Sequence, residues 1–77
     1  MEEKILRAVS EVTGVSVDDI KSIRGDTKTA RARMMYYYLC NDKGLLFEPV
    51  ARLVNRTAAA ASYGAASFAI FIRGNEM

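Results

Sequence analysis

The side chains of this 77-residue chain that could do chemistry are mostly basic, and they are unevenly distributed. Residues 1–19 hold two basic and five acidic side chains, a net charge of −3. Residues 20–33 hold five basic against one acidic (+4), and residues 43–73 hold four against one (+3). Such asymmetry favours a face that meets phosphates or another acidic partner. The commoner alternative is that these charges only solvate helix surfaces.

Residue types that serve catalysis or metal binding are scarce. There is no histidine, and the single cysteine, Cys40, stands in an apolar run where a small buried hydrophobe is expected. Without histidine or a second cysteine, a transition-metal site is not expected. The carboxylates fall at helix ends and solvated positions, so no acid–base pair converges. These features predict a protein that is not an enzyme and binds neither a metal nor a small-molecule cofactor.

The location predicted from the same residues is cytoplasmic. A free thiol fits a reducing compartment. The N-terminal residues are acidic and contain no long apolar core, unlike a signal peptide. The longest weakly polar run, residues 58–72, is short for a membrane span and is rich in alanine and serine. No membrane partner is therefore expected.

Apolar residues at helical spacing, with little proline or glycine between them, predict an all-α fold. The whole chain is expected to form one domain, a small bundle of about five helices. Ser16 and Thr57 are good N-caps, and either Asp26 or Thr27 caps the central helix. Asn55 is expected in the left-handed conformation that closes a helix. The predicted helices span residues 2–13, 17–23, 27–41, 45–54 and 57–72.

The central helix contains the run 34–40, which is apolar nearly all round, as is typical of a helix buried by its neighbours. Its predicted inner stripe is Met34, Met35, Tyr38 and Leu39, with Tyr36 and Tyr37 partly at the surface. Gly64 is expected to mark close packing of the last helix against the central one. The other residues predicted to point inward include Val9, Val12, Val17, Ile20, Ile23, Leu46, Val50, Leu53, Val54, Ala61, Ala65, Phe68 and Ile72.

Two stretches of the sequence follow a known pattern. The first, VSVDDIKSIRGDTKTARARMMYYYL, contains the alternating run Ala30, Arg31, Ala32, Arg33. The second, LLFEPVARLVNRTAAAASYGA, spans the predicted fourth helix, a turn and the start of the fifth. Together they resemble the C-terminal DNA-binding domain of the bacterial chromosomal replication initiator DnaA. The resemblance covers residues 9–72 and implies a C-terminal helix-turn-helix of the Trp-repressor type.

The sequence departs from the family's signature at the start of the last helix. The family has arginine, aspartate, histidine, a hydroxyl residue and threonine there. The matching residues in this chain are Arg56, Thr57, Ala58, Ala59 and Ala60. The arginine is retained, and Thr57 can still cap the helix in place of the aspartate. With so few base-reading groups, the expectation is weak or relaxed sequence specificity, and affinity that rests on charge and falls steeply with salt.

The partner implied by the resemblance is double-stranded DNA. Arg56 would span the O6 and N7 atoms of a guanine, and Arg31 would reach the minor groove or the backbone. Thr57 would lie near a phosphate at the helix N-terminus. The methyl groups of Ala59 and Ala60 would contact thymine. The remaining candidates are Tyr63 in the groove and Arg24, Lys28, Lys43 and Arg52 on phosphates.

A rival interpretation belongs to a different class of protein. The alanines also fit a DnaA-like fold that has lost DNA reading and serves as a protein–protein interaction or dimerisation module. The face that would then pack against another helix or a second copy comprises Ala59, Ala60, Tyr63, Ala66 and Ser67. The sequence leaves open whether the chain acts alone, as a homodimer or in a larger replication or transposition assembly.

Overall fold

The computed structural model describes residues 1–76, with side chains to residue 74. These residues form five helices and no strand, so the predicted all-α class is confirmed. None of the helices described is both long and apolar enough to cross a membrane. Compared with the predicted bounds, α2 and α4 are shorter and α5 is longer. The helices are α1 (Glu2–Thr13), α2 (Val17–Lys21), α3 (Thr27–Asp42), α4 (Phe47–Leu53) and α5 (Ala58–Glu76).

The helix ends lie where local groups replace the missing helical hydrogen bonds. Ser16 accepts a hydrogen bond from the backbone N–H three residues ahead at 3.1 Å, and Asp26 does the same for α3 at 3.2 Å. Thr57 Oγ1 accepts from the backbone N–H of Ala60 at 3.2 Å and caps α5. α1 ends at Gly14, whose φ of 74° lies in the left-handed region. The predicted N-caps Ser16 and Thr57 are confirmed, and Asp26 caps the central helix.

The central helix α3 contacts all four other helices and buries one face. The residues of that face recur at helical spacing: Thr29, Ala32, Arg33, Tyr36, Tyr37 and Cys40. The predicted inner stripe is therefore wrong, because Leu39 is 37% exposed whereas Tyr36 and Tyr37 are buried. Met34, Met35 and Tyr38 are half-buried. The buried state predicted for Cys40 is confirmed.

Hydrogen bonding helps to explain why α3 turns Tyr36 inward. The Tyr36 hydroxyl donates to the backbone carbonyl of Val50 at 2.7 Å. That carbonyl lies in the last turn of α4, where the N–H of Val54 bonds to Ala51 instead, so it would otherwise lack a helical donor. Burial raises the pKa of Tyr36, so its hydroxyl keeps the proton that it donates.

The last helix packs its small face on α3. Ala61, Gly64, Ala65 and Phe68 are buried, as predicted. A Cβ atom placed on Gly64 would lie 2.6 Å from Cδ2 of Tyr37, closer than such atoms approach in proteins. The predicted close packing at Gly64 is therefore confirmed. Around this contact, the core is completed by Leu6, Val9, Val15, Ile20, Val50, Ala51 and Val54.

Three apolar residues predicted to point inward are instead exposed: Val12 (76%), Ile23 (95%) and Leu46 (75%). The half-buried Thr13, not Val12, follows Leu6 and Val9 on the inner side of α1. Ile23 lies beyond α2, which ends at Lys21 because the next residue adopts extended geometry with ψ near 179°. Leu46 is the N-cap of α4, which begins two residues later than predicted.

Candidate nucleic-acid interface

The turn between α4 and α5 is anchored to the end of α2. Asn55 has the predicted left-handed conformation, with φ of 59°, and its Nδ2 donates to the Lys21 carbonyl at 3.2 Å. Arg56 Nη2 donates to the Ser22 carbonyl at 2.7 Å. Arg56 Nη1 donates to the carbonyls of Val54 and Asn55, each at 3.3 Å. Backbone carbonyls at the end of α2 thus receive donors from a turn 34 residues later.

Arg33 completes this anchor. It is 8% exposed, and its Nε donates to the Ile20 carbonyl at 2.9 Å. Its Nη2 donates to the carbonyls of Ser22 at 3.2 Å and Arg24 at 3.1 Å. Burial lowers the pKa of Arg33, and the positive charge of Arg56 lowers it further. Arg33 and Arg56, here called the arginine clamp, therefore share the Ser22 carbonyl.

This structural role of Arg33 was not predicted from the sequence. The available signal was its spacing, four residues after Thr29 and three before Tyr36, within the face that proved to be buried. An arginine on such a face requires acceptors, because a buried guanidinium without hydrogen-bond partners is costly. The end of α2 and the loop that follows it supply those acceptors as backbone carbonyls.

The buried tyrosine beside the clamp, Tyr37, differs from Tyr36 in its hydrogen bonding. The Tyr37 hydroxyl is buried without a hydrogen-bond partner among the described residues. Burial raises the pKa of Tyr37, and the positive charges of Arg33 and Arg56 partly oppose that effect. Tyr37 therefore stays neutral at physiological pH and supplies packing rather than a counter-charge to the clamp.

The start of α5 is exposed beside the clamp. Thr57 and Ala59 are exposed, Ala60 is half-buried, and Tyr63 is 77% exposed one turn later. These four residues are called the α5 surface. The sequence contains no aspartate or glutamate between residues 49 and 75, so no carboxylate of this helix opposes an approaching phosphate until its last residue. The helix N-terminus also carries a partial positive charge.

Arg56, the residue predicted to read guanine, is half-buried and donates to three backbone carbonyls. A guanidinium has five N–H donors. A guanine contact would therefore use the donors that these carbonyls leave or displace the carbonyls. Through these hydrogen bonds Arg56 positions the turn before α5, in addition to any direct contact with a base.

Two of the predicted phosphate contacts are paired with carboxylates. Arg24 lies 3.4 Å from Asp19 and 3.2 Å from Asp26. Arg52 lies 2.9 Å from Glu48, one helical turn earlier. All five side chains are substantially exposed, and exposed ion pairs contribute about 0–1 kcal/mol. Phosphate can therefore compete for both arginines at little cost.

The other predicted phosphate contacts are not brought to the α5 surface. The Arg31 guanidinium lies 4.9 Å from the ring centroid of Phe71, which is about 20 Å along α5 from Ala58. Lys28 lines the same groove as Arg31 and Phe71. Lys43 follows the opposite end of α3 from Lys28. The ten predicted site residues therefore do not form one continuous patch.

Comparison with known proteins finds no counterpart. No protein-family model matches the chain, and neither a curated protein nor a solved structure does. Within the residues that the structure describes, no group of three histidine, cysteine, aspartate or glutamate side chains could hold a metal ion.

Proposed function

We propose that this chain is a DNA-binding module that docks the α5 surface on duplex DNA with weak or relaxed sequence preference. The observation that carries the proposal is an exposed first turn on a 19-residue helix whose side chains bear no negative charge up to residue 75. Backbone N–H groups and the helix dipole at such an end favour phosphate. Alanine methyl groups allow a helix to approach a major groove closely.

The arginine clamp positions this surface. Asn55 and Arg56 tie the turn before α5 to the carbonyls of Lys21 and Ser22, so the first turn of α5 is held at a fixed orientation. Arg24 and Arg52 supply exposed positive charge that can move to phosphates. Affinity in this proposal comes mainly from phosphate contacts, which position the module without reading bases.

The resemblance to the DnaA C-terminal domain supports the same surface, because the family reads DNA at the start of its last helix. This chain carries alanine where that family has a histidine and hydroxyl residues. Thr57 and Tyr63 remain as polar side chains on the α5 surface, and neither matches the bidentate geometry that discriminates bases best. Relaxed specificity follows from that loss.

The test is a fluorescence-anisotropy titration of labelled duplex DNA at about 50 mM and about 200 mM salt. With about four phosphate contacts, affinity should fall roughly a hundredfold between them. Ala59→Glu should weaken binding roughly tenfold or more by placing a carboxylate on the α5 surface. Glutamate at a helix N-terminus favours the helix, so the variant should remain folded.

The matched control is Ala8→Glu, which adds the same charge at an exposed alanine of α1. It should bind DNA nearly as well as the parent chain. Absence of binding at the lower salt, or equal loss in both variants, would remove the proposal. Several unrelated duplexes of equal length should bind with similar affinity, and strong preference for one would contradict relaxed specificity.

A second function is favoured by the engagement of Arg56 with backbone carbonyls and by the exposure of Tyr63. In this alternative, the α5 surface packs against a second copy of the chain. Sedimentation equilibrium then shows a dimer, Ala59→Glu makes it monomeric, and duplex DNA does not bind. A monomer at all accessible concentrations would exclude this alternative.

A further inference from the structure

A second candidate surface lies at the other end of α5. It is a groove of about 460 Å³ between the end of α1, the start of α3 and the C-terminal half of α5. Its apolar floor is formed by Ala32, Met35, Phe68 and Phe71. Its rim carries Thr13, Thr27, Lys28 and Arg31. This surface is called the basic groove.

Among the side chains that the structure describes, the charged groups on the rim of the basic groove are all positive. Lys28 and Arg31 are exposed, and neither forms an ion pair with a carboxylate of residues 1–74. No acidic residue between positions 1 and 74 lines the groove. The nearest carboxylate in the sequence, Asp26, is already bound by Thr29 and Arg24. An anionic group would therefore be attracted to this rim from solution.

The floor is held by aromatic contacts. The Phe68 ring lies 5.6 Å from Tyr38 and 5.9 Å from Phe71. Arg31 lies over the Phe71 ring at 4.9 Å, which places its guanidinium beside the floor while its side chain remains exposed. An apolar surface and two cations are thus presented together.

The groove is too open to enclose a small molecule. Phe71 is 43% exposed, and both basic side chains of the rim are exposed. Small-molecule sites usually bury about 70–90% of their ligand. An open groove instead suits a side chain presented by a larger partner, which gains further contacts around it.

We propose that the basic groove docks an acidic, amphipathic segment of a partner protein. One large apolar side chain of that segment packs on Met35, Phe68 and Phe71, and its carboxylates pair with Lys28 and Arg31. Charge complementarity selects this occupant. Duplex DNA would meet the cations but leave the apolar floor without a matching surface. The proposal stands independently of DNA binding by the α5 surface.

The probe is a fluorescently labelled peptide of about 12 residues that combines aspartate and glutamate with leucine and phenylalanine at helical spacing. Anisotropy titration, with no DNA present, should show saturable binding. The double variant Lys28→Glu with Arg31→Glu should weaken binding roughly tenfold or more. Lys4→Glu, which reverses an exposed charge on α1, should change binding by less than about twofold.

A second variant tests the apolar part. Phe71→Ala removes part of the floor at a half-exposed position and should weaken binding roughly fivefold or more. Urea unfolding should show that each variant remains folded. In an NMR titration, the shifted amide signals should cluster at residues 13, 27–35 and 68–71.

Four outcomes would overturn the proposal. The first is no binding up to about 1 mM peptide. The second is equal binding of a peptide with serine in place of leucine and phenylalanine, which would reduce the interaction to charge. The third is equal weakening by Lys4→Glu, which would make the interaction a non-specific charge effect. The fourth is binding to phosphatidylserine vesicles but not to the peptide, which would assign the groove to a lipid surface.

Discussion

At the scale of single residues, two adjacent tyrosines of α3 share the same burial and differ in hydrogen bonding. The Tyr36 hydroxyl donates to the Val50 carbonyl, whereas the Tyr37 hydroxyl has no partner among the described residues. Their ring centroids are 5.8 Å apart. Substitutions of these two tyrosines can therefore compare, within one helix, how a hydrogen-bonded and an unbonded buried hydroxyl contribute to the free energy of unfolding.

Removal of each hydroxyl should have opposite consequences. Tyr36→Phe should lower the free energy of unfolding by about 1–2 kcal/mol, because the Val50 carbonyl loses its donor. Tyr37→Phe should be neutral or stabilise the chain by up to about 1 kcal/mol, because it removes a desolvated group. Urea unfolding midpoints measure both. If Tyr37→Phe costs as much as Tyr36→Phe, the Tyr37 hydroxyl has a partner in solution.

The sequence predicts the positions of the helices better than it predicts which side chains of α3 are buried. The run 34–40 is apolar on every side of α3, so periodicity gives it no preferred inward direction. The direction was set instead by polar atoms: the Tyr36 hydroxyl and the Arg33 guanidinium each meet backbone carbonyls that no helix satisfies. Those carbonyls belong to distant segments, so the sequence near α3 does not reveal them.

At the scale of elements, the approach of α5 to α3 depends on a missing side chain. A Cβ atom added to Gly64 would lie 2.6 Å from Tyr37 Cδ2 and 3.4 Å from Met34 Cγ. Gly74 lies in the same helix, and apart from its chain neighbours and the helix backbone no described atom lies within 4 Å of an added Cβ. The two glycines therefore form a pair within one helix in which the surroundings of an added Cβ atom differ.

Alanine should be unfavourable at one glycine and favourable at the other. Gly64→Ala should destabilise the chain by about 1–3 kcal/mol through overpacking, although alanine gains up to about 1 kcal/mol of helix propensity. Gly74→Ala should stabilise it by a fraction of that propensity term, because the end of a helix frays. Thermal unfolding followed by circular dichroism compares them. Stabilisation by Gly64→Ala would mean that Tyr37 moves aside easily.

The presence of each helix was largely predictable, because side chains close in the sequence determine where a helix begins. Ser16, Asp26 and Thr57 begin their helices through hydrogen bonds that need no distant partner. Asn55 similarly ends its helix by a local backbone preference. The end of α2 was predicted too late, since the carbonyls of Ile20 and Ser22 are taken by Arg33 and Arg56 from other elements.

At the scale of the whole molecule, the buried ionisable groups cluster around α3 and favour their neutral forms. Burial raises the pKa of the Cys40 thiol from 9.0 to about 11, and it raises the pKa values of Tyr36 and Tyr37. Above their unfolded pKa values, these groups hold protons in the folded chain that the unfolded chain has released. Stability is therefore full below that range and falls as pH rises toward the folded values.

The expected stability profile follows from these directions. There is no histidine, so stability should change little between about pH 5 and pH 8 and should fall above about pH 9. Hydrogen bonds from Thr29 lower the pKa of Asp26, whose contribution is therefore lost at acid pH, below about 4. Thermal midpoints across pH 3–11 measure the profile. Tyr37→Phe should reduce the alkaline decline, and an unchanged decline would contradict this origin.

The turn before α5 is hydrogen-bonded to residues far away in the sequence, which limits where the module can be cut for transfer to another protein. Asn55 and Arg56 bond to Lys21 and Ser22, and Arg33 holds the same carbonyl of Ser22. A peptide containing α4, the turn and α5 would carry the exposed surface without the acceptors that orient it. The smallest portable unit therefore begins before α2, and a chimaera joined at residue 45 would display the same side chains at an uncontrolled angle.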